Sequence, residues 1–408
     1  MLTINETRFL NDLDALAQIG STGDGGVSRP ALSPQDVAGR DWFRQRVITE
    51  GFTFRQDGAG NLSAVLESGD PAAKTLLIGS HLDSVVNGGR FDGALGTLAA
   101  LETLRAIRDS GCKLPFHLEA ISFTDEEGTL MGLMGSSALA GTLTRHDLEH
   151  PRGGREALLA GMARVGITNA SVLAAKRDPA TLLGYIEVHI EQGTRLEEAG
   201  LDMGVVTAIV GIRSRLLRFT GTAAHAGTMP MDKRQDALWG AAAFVTRARA
   251  LVLERYTPGV VNVGRLSLEP GAFNIVPGVA ELALEFRHGD TALLDAMETD
   301  LTATAESCAG EFGLGLTIIR LDDKAPAPMD AGLMAAIEGS AESLGLHHTR
   351  LMSFAGHDAQ STAQIMPSAM FFVPSVNGIS HNPAEYTSPA DCVNGANVLL
   401  HAALAMAG

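Results

Sequence analysis

Five residues of types that bind divalent metals stand on short segments whose neighbours can hold them in place. An apolar run at 75–80 ends in His-x-Asp, and a glycine-rich loop then delivers a second aspartate. The acidic cluster FTDEEG at 123–128 also follows an apolar run. Imidazole nitrogens and carboxylate oxygens suit two zinc-like ions, and a two-metal centre is typical of hydrolases. The five residues are His81, Asp92, Glu127, His189 and His381.

The His-x-Asp pair and the loop aspartate suggest different roles. His81 and Asp83 point the same way at a strand end, because side chains alternate with a period of two. Asp83 can then accept the second N–H of the histidine and fix its tautomer. Asp92 lies in GGRFDG, where glycines permit turns that bring a carboxylate inward to bridge two cations. Taken alone, the pair is equally compatible with a buried hydrogen bond, and Asp92 with a residue that only forms the turn.

The adjacent glutamates of DEEG predict a division of labour. In an extended backbone Glu126 and Glu127 face opposite ways, so they cannot share one role. We expect one to bind metal and the other to be the general base beside the metal-bound water. Metal lowers the pKa of that water from about 16 to about 7, so a carboxylate can pass its proton to the leaving nitrogen. A solvated acidic turn is the alternative for this cluster alone.

Two histidines complete the candidate set. His189 alternates with Glu187 and Glu191 in a strand-like segment, so a sheet histidine paired with those glutamates is the alternative reading. His381 lies in a loop after the strand-like run at 370–375, where a histidine is commonly only exposed. All five candidates nevertheless fall at strand ends or loops in an order that supplies ligands for two ions. This joint pattern favours the metal centre over the separate alternatives.

Three residues further along offer groups that a substrate can use. His225, in GTAAHAGTMPMDKRQDA, can donate to an oxyanion at the carbonyl that is cleaved. Asn274 offers an amide, and Arg287 offers a bidentate fork for a carboxylate. A surface salt bridge is the alternative for Arg287. His357, in FAGHDAQ, is expected to support the site without binding metal.

Alternating strands and helices predict a catalytic α/β domain with a mixed sheet flanked by helices. Sites in such sheets collect at the carboxyl ends of strands, where His81 and the acidic cluster stand. The predicted elements are helices at 5–20, 33–51, 94–109 and 135–141, and strands at 62–66, 75–80 and 116–123.

The pattern changes at about residue 212, where two helices among four strands predict a small α+β domain inserted into the first. The stretch APAPMD at 325–330 is the expected return linker. The loop at 20–33 is rich in glycine and is expected to be flexible. The predicted domains are 1–211 and 326–408 for the catalytic domain, and 212–325 for the insert. The predicted helices of the insert are 235–255 and 290–311, and its predicted strands are the start of LLRFTGTAAHAGT, 259–268, 279–287 and 315–321.

Composition excludes several classes of function. A length of 408 residues exceeds what one core usually supports, which agrees with two domains. The net charge of −16 argues against nucleic acid or an anionic membrane as partner, because both need a basic surface. The three scattered cysteines predict buried free thiols rather than disulfides or a thiolate zinc site. The first residues lack a signal pattern and no long apolar run occurs, so we expect a cytoplasmic protein.

Six segments together resemble the amidase (hydantoinase/carbamoylase) branch of the M20 metallopeptidase-like family. They are GSHLDSVVNGGRFDG, DEEG, EVHIEQG, AHAGTMPM, FNIVPG and GISHNPAE, in the family's order, and the likeness runs from about residue 30 to 390. That branch holds N-carbamoyl-L-amino-acid hydrolases, β-ureidopropionases, allantoate amidohydrolases and ureidoglycolate amidohydrolases. The resemblance implies a binuclear metal-dependent amidohydrolase whose inserted domain is a lid and also forms a homodimer.

The resemblance also implies a role for each candidate. Asp92 bridges two divalent ions, for which Zn²⁺ is the first expectation and Mn²⁺, Co²⁺ or Ni²⁺ are the alternatives. Its peptide bond to Gly93 is expected to be cis. Glu126 is the general base, and His225 reaches the active site of the partner protomer. The resemblance further implies that His81, Asp92 and His189 bind one ion and that Asp92, Glu127 and His381 bind the other. It implies that Asp83 supports His81. It also implies that Gln192, Asn274 and Arg287 orient the substrate, with Arg287 on the substrate carboxylate.

The predicted reaction is cleavage of the ureido C–N bond of an N-carbamoyl-L-amino acid to the amino acid, ammonia and carbon dioxide. One departure from the branch leaves the substrate open, because the run GTLMGLMGSSALAG after DEEG is shorter than in many relatives and lacks their two arginines. Allantoate hydrolysis is the second candidate, and hydrolysis of another N-acyl amide is the third. A catalytically silent binding protein is the alternative from another class.

Overall fold

Two units make up the chain in the computed structural model, which describes residues 1–407 apart from the side chain at position 322. The predicted insert, 212–325, is shorter than the second unit at both ends and omits a short return segment. The first unit comprises Met1–Thr207, Met329–Leu351 and the chain from Gly356 onward, and the second comprises Ala208–Pro328 and Met352–Ala355.

The helices and strands follow the predicted alternation closely. The strands are β1 (Thr53–Gln56), β2 (Leu62–Leu66), β3 (Thr75–His81), β4 (His117–Phe123), β5 (Leu182–Ile190), β6 (Met203–Ile209), β7 (Gly211–Thr220), β8 (Ala224–His225), β9 (Val260–Glu269), β10 (Ile275–Val276), β11 (Val279–His288), β12 (Gly315–Lys324), β13 (Ala327–Pro328), β14 (His348–Ser353) and β15 (Ser368–Val373). The helices are α1 (Glu6–Ala17), α2 (Pro34–Thr49), α3 (Ala94–Ser110), α4 (Met134–Ala140), α5 (Arg145–Glu149), α6 (Arg155–Arg164), α7 (Asn169–Leu173), α8 (Arg195–Ala199), α9 (Ala237–Arg255), α10 (Thr291–Glu311), α11 (Ala331–Ser343), α12 (Asp358–Thr362) and α13 (Pro389–Ala405).

The sheet of the first unit runs in the order β1-β2-β4-β3-β5-β15-β6, and β14 pairs with β6. Strand β3 is parallel to β4 and β5, and β15 is parallel to β5, whereas β2 runs antiparallel to β4. Every residue of β3 is buried, because a central parallel strand is covered on both faces. The predicted mixed sheet flanked by helices is confirmed, and the carboxyl ends of four parallel strands meet at one edge.

Helix α3 begins directly after the glycine-rich loop and is buried on all sides over most of its length. Its buried residues are mostly apolar, its buried Glu102 pairs with Arg105, and the helix packs on β3, β4 and β5. Gly93, the residue before the helix, has φ 62, which favours glycine. A Cβ at this position would also overlap the His81 imidazole. Glycine is therefore required where the loop passes the end of β3.

The second unit contains an antiparallel sheet in the order β12-β7-β11-β9. Strand β11 alternates between buried and half-buried positions along its length, which is the pattern of a sheet covered on one face. Helices α9 and α10 pack on the sheet around a core that includes Phe219, Phe244 and Phe286. Strands β8 and β10 form a separate pair that places His225 opposite Ile275.

The segment 20–33 is not the flexible loop that its glycines suggested. Arg29 is 1% exposed, and its guanidinium donates to the backbone carbonyls of Leu82 at 2.6 Å and Leu16 at 3.2 Å. Val27 forms a β-bridge with the neighbouring loop. These contacts fix the segment, and composition gives no sign of them because partners such as Leu82 and Gly88 are distant in sequence.

Two further expectations were based on composition. Cys308 and Cys392 are buried free thiols, as predicted, whereas Cys112 is exposed because it lies in the turn after α3. Among residues 1–407, no helix is both long enough and apolar enough to cross a membrane.

Candidate metal centre

The parallel strands of the first unit bring the predicted ligands to one edge of the sheet. His81 is the last residue of β3, and His189 is the last but one of β5. Glu127 lies in the loop after β4, and His381 in the loop after β15. Asp92 lies in the loop between β3 and α3.

These side chains form two clusters that share Asp92. We call them the His81 cluster (His81, Asp92, His189) and the His381 cluster (Asp92, Glu127, His381). In each cluster the ligand atoms lie within 4.8 Å of one another. Asp92 Oδ1 is 3.1 Å from His189 Nε2 and 3.5 Å from His81 Nε2, whereas its Oδ2 is 3.5 Å from His381 Nε2. The two oxygens of one carboxylate therefore face different clusters, as a bridging ligand requires.

Two of the histidines are oriented through their second ring nitrogen. His81 Nδ1 is 3.0 Å from the backbone carbonyl of Asp83, and His189 Nδ1 is 2.9 Å from that of Ile190. Since Nδ1–H donates to a carbonyl in each ring, the Nε2 lone pair is left to face the cluster. His189 is thus not paired with the glutamates of its own strand; Glu187 accepts the Ser80 hydroxyl at 2.7 Å instead.

Asp83 supports the centre in a different way from the predicted one. Its carboxylate is 3.7 Å from His81 Nδ1, too far for a hydrogen bond, because β3 ends at His81 and the period of two no longer applies. The carboxylate accepts the N–H groups of Glu126 and Glu127, each at 3.3 Å. Burial raises the pKa of Asp83 well above its usual value, while His81 opposes the rise. Asp83 therefore positions the turn that carries both glutamates.

Glu126 and Glu127 contact different clusters. The backbone is turned rather than extended here, since Asp125 has φ 55. Glu126 Oε2 is 3.6 Å from His81 Nε2, and Glu127 Oε2 is 3.2 Å from His381 Nε2. Burial raises the pKa of Glu126 well above its usual value, with His81 opposing the rise. A carboxyl group with a raised pKa at this place can accept and return a proton.

Buried atoms without partners show that the clusters fit cations. Among the atoms of the described residues, His81 Nε2 and Glu127 Oε1 are buried and make no hydrogen bond. Leaving such atoms unpaired is costly, and a cation between the ligands would satisfy both. The carboxylates of Asp92 and Glu127 raise the pKa of His381 to about 10. Three imidazoles and two carboxylates suit Zn²⁺, Mn²⁺, Co²⁺ or Ni²⁺.

The peptide between Asp92 and Gly93 was expected to be cis, and this expectation is wrong. Within residues 1–407 the cis peptide bonds are Thr257–Pro258 and Glu269–Pro270. The positive φ of Gly93 turns the chain instead, and its N–H lies 3.3 Å from His189 Nε2.

Gln192 contacts the shared aspartate in this structure, and its role in orienting the substrate stays a prediction. It has φ 56, and its side-chain amide donates to Asp92 Oδ2 at 2.8 Å. The same amide nitrogen lies 3.3 Å from the Ser380 hydroxyl. In this structure Gln192 therefore holds the shared carboxylate.

His225 and Asn274 lie side by side in the second unit, on and next to the paired strands β8 and β10. His225 is exposed, and its Nδ1 accepts the Gly227 N–H at 3.1 Å. The ring proton of a neutral His225 is then on Nε2, from which it can be donated. The Asn274 carbonyl accepts the Ala226 N–H at 3.0 Å, which ties the two loops together.

Arg287, near the end of β11, is engaged within the second unit. Its Nε and Nη2 donate to Glu285 Oε1 at 2.8 and 2.6 Å, and its Nη1 donates to the Phe354 carbonyl at 2.7 Å. The salt bridge that was the alternative reading is therefore present, and a substrate carboxylate would have to compete with Glu285.

His357 was expected to support the site, whereas Asp358, Ser380 and Glu385 were not predicted to belong to it. The His357 ring is buried, and its centroid lies 4.6 Å from that of the His189 ring in an edge-to-face arrangement. Asp358 is fully buried, and burial, reinforced by Glu187, raises its pKa to about 8. Ser380 and Glu385 lie near His381 in the GISHNPAE segment, and this nearness in sequence was the signal that could have identified them as site residues.

Asp125 explains how the shortened loop after DEEG is held. Its carboxylate accepts the N–H groups of Leu130 at 3.0 Å, Met131 at 2.6 Å and Gly132 at 3.1 Å. Burial raises the pKa of Asp125 to about 6, while these hydrogen bonds oppose the rise. The loop thus folds back on a carboxylate of its own segment.

Known proteins resemble this chain over nearly its whole length. The sequence profile of peptidase family M20/M25/M40 matches residues 77–405. An N-carbamoyl-L-amino acid amidohydrolase of Geobacillus stearothermophilus is 36% identical over 400 residues, which cover 98% of each chain. An allantoate amidohydrolase of Bacillus subtilis (strain 168) is 31% identical over 390 residues, which cover 95% of this chain and 94% of that one. A crystal structure of a hydantoinase/carbamoylase family amidase from Burkholderia ambifaria superimposes with a TM-score of 0.91 at 36% identity, covering 100% of this chain and 99% of that one.

Proposed function

The chain belongs to peptidase family M20/M25/M40, and from that premise we propose that it is a two-metal hydrolase of N-carbamoyl-L-amino acids. It is a hydrolase that acts on non-peptide C–N bonds. One water is consumed at the ureido carbon, and the products are the amino acid, ammonia and carbon dioxide. The observation that carries the proposal is the pair of clusters that share Asp92, with Glu126 beside them.

The His81 cluster would hold one divalent ion and the His381 cluster the other, with Asp92 between them. When bound, such ions supply a water of lowered pKa and positive charge for a carbonyl oxygen. His81 and His189 offer Nε2 atoms that are oriented in advance by their backbone hydrogen bonds. Ligands fixed in this way need little reorganisation when an ion binds.

Glu126 would move the proton of the attacking water to the nitrogen of the cleaved bond. Its raised pKa suits both halves of that transfer, because the group must accept the proton and then release it. Glu127 contacts His381 and belongs to the His381 cluster, whereas Glu126 contacts His81 and is a member of neither cluster. We therefore assign the proton transfer to Glu126.

The second unit would recognise the two ends of the substrate. His225 would donate its Nε2 proton to the ureido carbonyl oxygen, where negative charge develops. Arg287 would exchange Glu285 for the substrate carboxylate, and Asn274 would help to orient the substrate. The family resemblance implies that the second unit also forms a homodimer through which His225 serves the other protomer.

Allantoate is the second candidate substrate. It carries the same combination of a carboxylate and a ureido group, so the same residues can bind it. Allantoate amidohydrolases of Bacillus subtilis and Escherichia coli are each 31% identical to this chain over nearly its full length.

Ammonia release from a substrate panel tests the proposal. Metal-reconstituted protein is offered N-carbamoyl-L-amino acids, N-carbamoyl-β-alanine, allantoate and ureidoglycolate. N-acetyl amino acids are the controls for simple amides, and their hydrolysis is followed by release of the free amino acid because it yields no ammonia. We expect strong preference for one N-carbamoyl-L-amino acid, and ammonia release that is about 10³-fold slower or more in the Glu126→Gln variant. Preference for allantoate would select the second candidate, and no turnover of any ureido compound by protein that holds two ions would contradict both.

A further inference from the structure

Glu385 joins two loops that are far apart in sequence. It is 4% exposed, and its Oε1 accepts the N–H groups of Phe91 at 2.9 Å and Asp92 at 3.1 Å. Glu385 and Asp92 are separated by 293 residues. The carboxylate therefore grips the main chain at the residue whose side chain belongs to both clusters.

The second oxygen of Glu385 reaches the same aspartate by another route. The Ser380 hydroxyl is 2.8 Å from Glu385 Oε2 and 2.9 Å from Asp92 Oδ2, so it can donate to either carboxylate. Gln192 also donates to Asp92 Oδ2 at 2.8 Å. Backbone and side chain of Asp92 are thus held from one side by a single connected set of hydrogen bonds.

The glycine-rich loop leaves room for this contact. A Cβ at Gly89 would overlap the carboxyl group of Glu385, so any other residue there would push the glutamate away. Gly89 has no positive φ that would by itself require glycine. The close approach of Glu385 is the physical reason for glycine at this position.

We infer that Glu385 is a positioning residue for the metal centre, one that aims Asp92 and docks the loop of His381 onto the loop of Asp92. The inference rests on the proposed two-ion centre. His81 and His189 belong to buried strands, whereas the side chain of His381 is 49% exposed and its loop is held in part by Glu385. Loss of Glu385 should therefore weaken the ion of the His381 cluster more than the ion of the His81 cluster.

Metal binding by variants separates this role from a general structural one. Metal-free wild-type protein, Glu385→Ala and Glu385→Gln are titrated with Zn²⁺ against a chromophoric chelator, and bound metal per protomer is measured after dialysis. Glu119→Ala is the matched control, because Glu119 is also a buried glutamate that bonds Ser63 at 2.6 Å and Arg177 at 2.8 Å.

We expect wild-type protein and the Glu119 variant to bind two ions. Glu385→Ala should keep one ion at wild-type affinity and bind the second about 10–100-fold more weakly, the usual loss when a residue that orients a ligand is removed. Glu385→Gln should recover most of that affinity, because its amide oxygen can accept the same two N–H groups. Ser380→Ala, a smaller change that leaves the backbone contacts, should weaken the same ion to a lesser degree.

Four outcomes would overturn the inference. Two ions bound at wild-type affinity in both Glu385→Ala and Ser380→Ala would remove the positioning role. Equal weakening of both ions, or the same loss in Glu119→Ala, would show general destabilisation. If folded wild-type protein binds fewer than two ions, the proposed centre itself fails, and this result is seen without any variant.

Discussion

The His81 cluster of the first unit and the substrate-binding candidates of the second differ in how far the chain itself determines their geometry. His81, Asp92 and His189 are at most 5% exposed and contact one another directly. His225 is exposed, and Arg287 is paired with a glutamate of its own strand. A buried charged group must find its partners within the protein, whereas an exposed one can change partners. The first set is thus preorganised, and the second depends on a substrate.

The largest effect on turnover should come from a residue of the first unit, Glu126. We expect Glu126→Gln to lower kcat by about 10³-fold or more, because a positioned acid–base group contributes about 10²–10⁴-fold. Bound metal should stay at the wild-type level, since neither cluster includes Glu126. Steady-state ammonia release and metal content per protomer measure both. Unchanged turnover would remove Glu126 as the base.

His225 should give the next largest effect, although it is exposed. We expect His225→Ala to lower kcat by about 10²–10³-fold through loss of the donor to the oxyanion, with metal content unchanged. His347→Ala is the control, because His347 is also exposed and lies in the first unit. If both variants keep the wild-type kcat, His225 is a surface histidine without a catalytic role.

Arg287 should change KM more than kcat. We expect Arg287→Ala to raise KM for carboxylate substrates by about 10–100-fold, the loss of one hydrogen bond to a charged group. Arg265→Ala is the control, since Arg265 pairs with Glu281 at 3.1 Å in the same sheet. A KM that Arg287→Ala leaves at the wild-type value would mean that Arg287 only pairs with Glu285.

The smallest effect concerns stability at Asp358, whose pKa is raised to about 8 by burial. Between pH 4 and 8 the folded protein keeps a proton that the unfolded chain, with a pKa of about 4, has lost. This term therefore makes stability fall as pH rises through that window. Asp358→Asn should abolish it, so that the metal-free variant gains a few degrees in Tm over wild type at pH 8 and almost nothing at pH 4 to 5. Parallel Tm profiles would contradict the raised pKa.

Elements with a clear hydrophobic period were predictable from sequence almost to the residue. Strand β2 was predicted at 62–66 and observed at Leu62–Leu66, and α10 was predicted at 290–311 and observed at Thr291–Glu311. The candidate ligands could be chosen because strand ends and side-chain chemistry pointed to the same positions. At these positions the local sequence pattern and the tertiary contacts favour the same secondary structure.

Contacts between distant segments could not be predicted in the same way. The buried guanidinium of Arg29 holds a loop that looked flexible, and the Asp83 carboxylate accepts hydrogen bonds from the glutamate turn rather than from the His81 ring. The backbone groups that Glu385 holds, at Phe91 and Asp92, lie 294 and 293 residues away along the chain. Such partners are set by how the strands assemble, and a single sequence carries no direct signal of them.

Stepwise metal reconstitution tests the two-ion hydrolase most directly. Metal-free protein is titrated with Zn²⁺ or Mn²⁺ while ammonia release from the preferred N-carbamoyl-L-amino acid is followed at each ratio of metal to protomer. We expect little turnover up to one ion per protomer, a steep rise with the second, and a plateau at two. Full turnover with one ion per protomer, or turnover that does not depend on metal, would contradict the shared role of Asp92 between two ions.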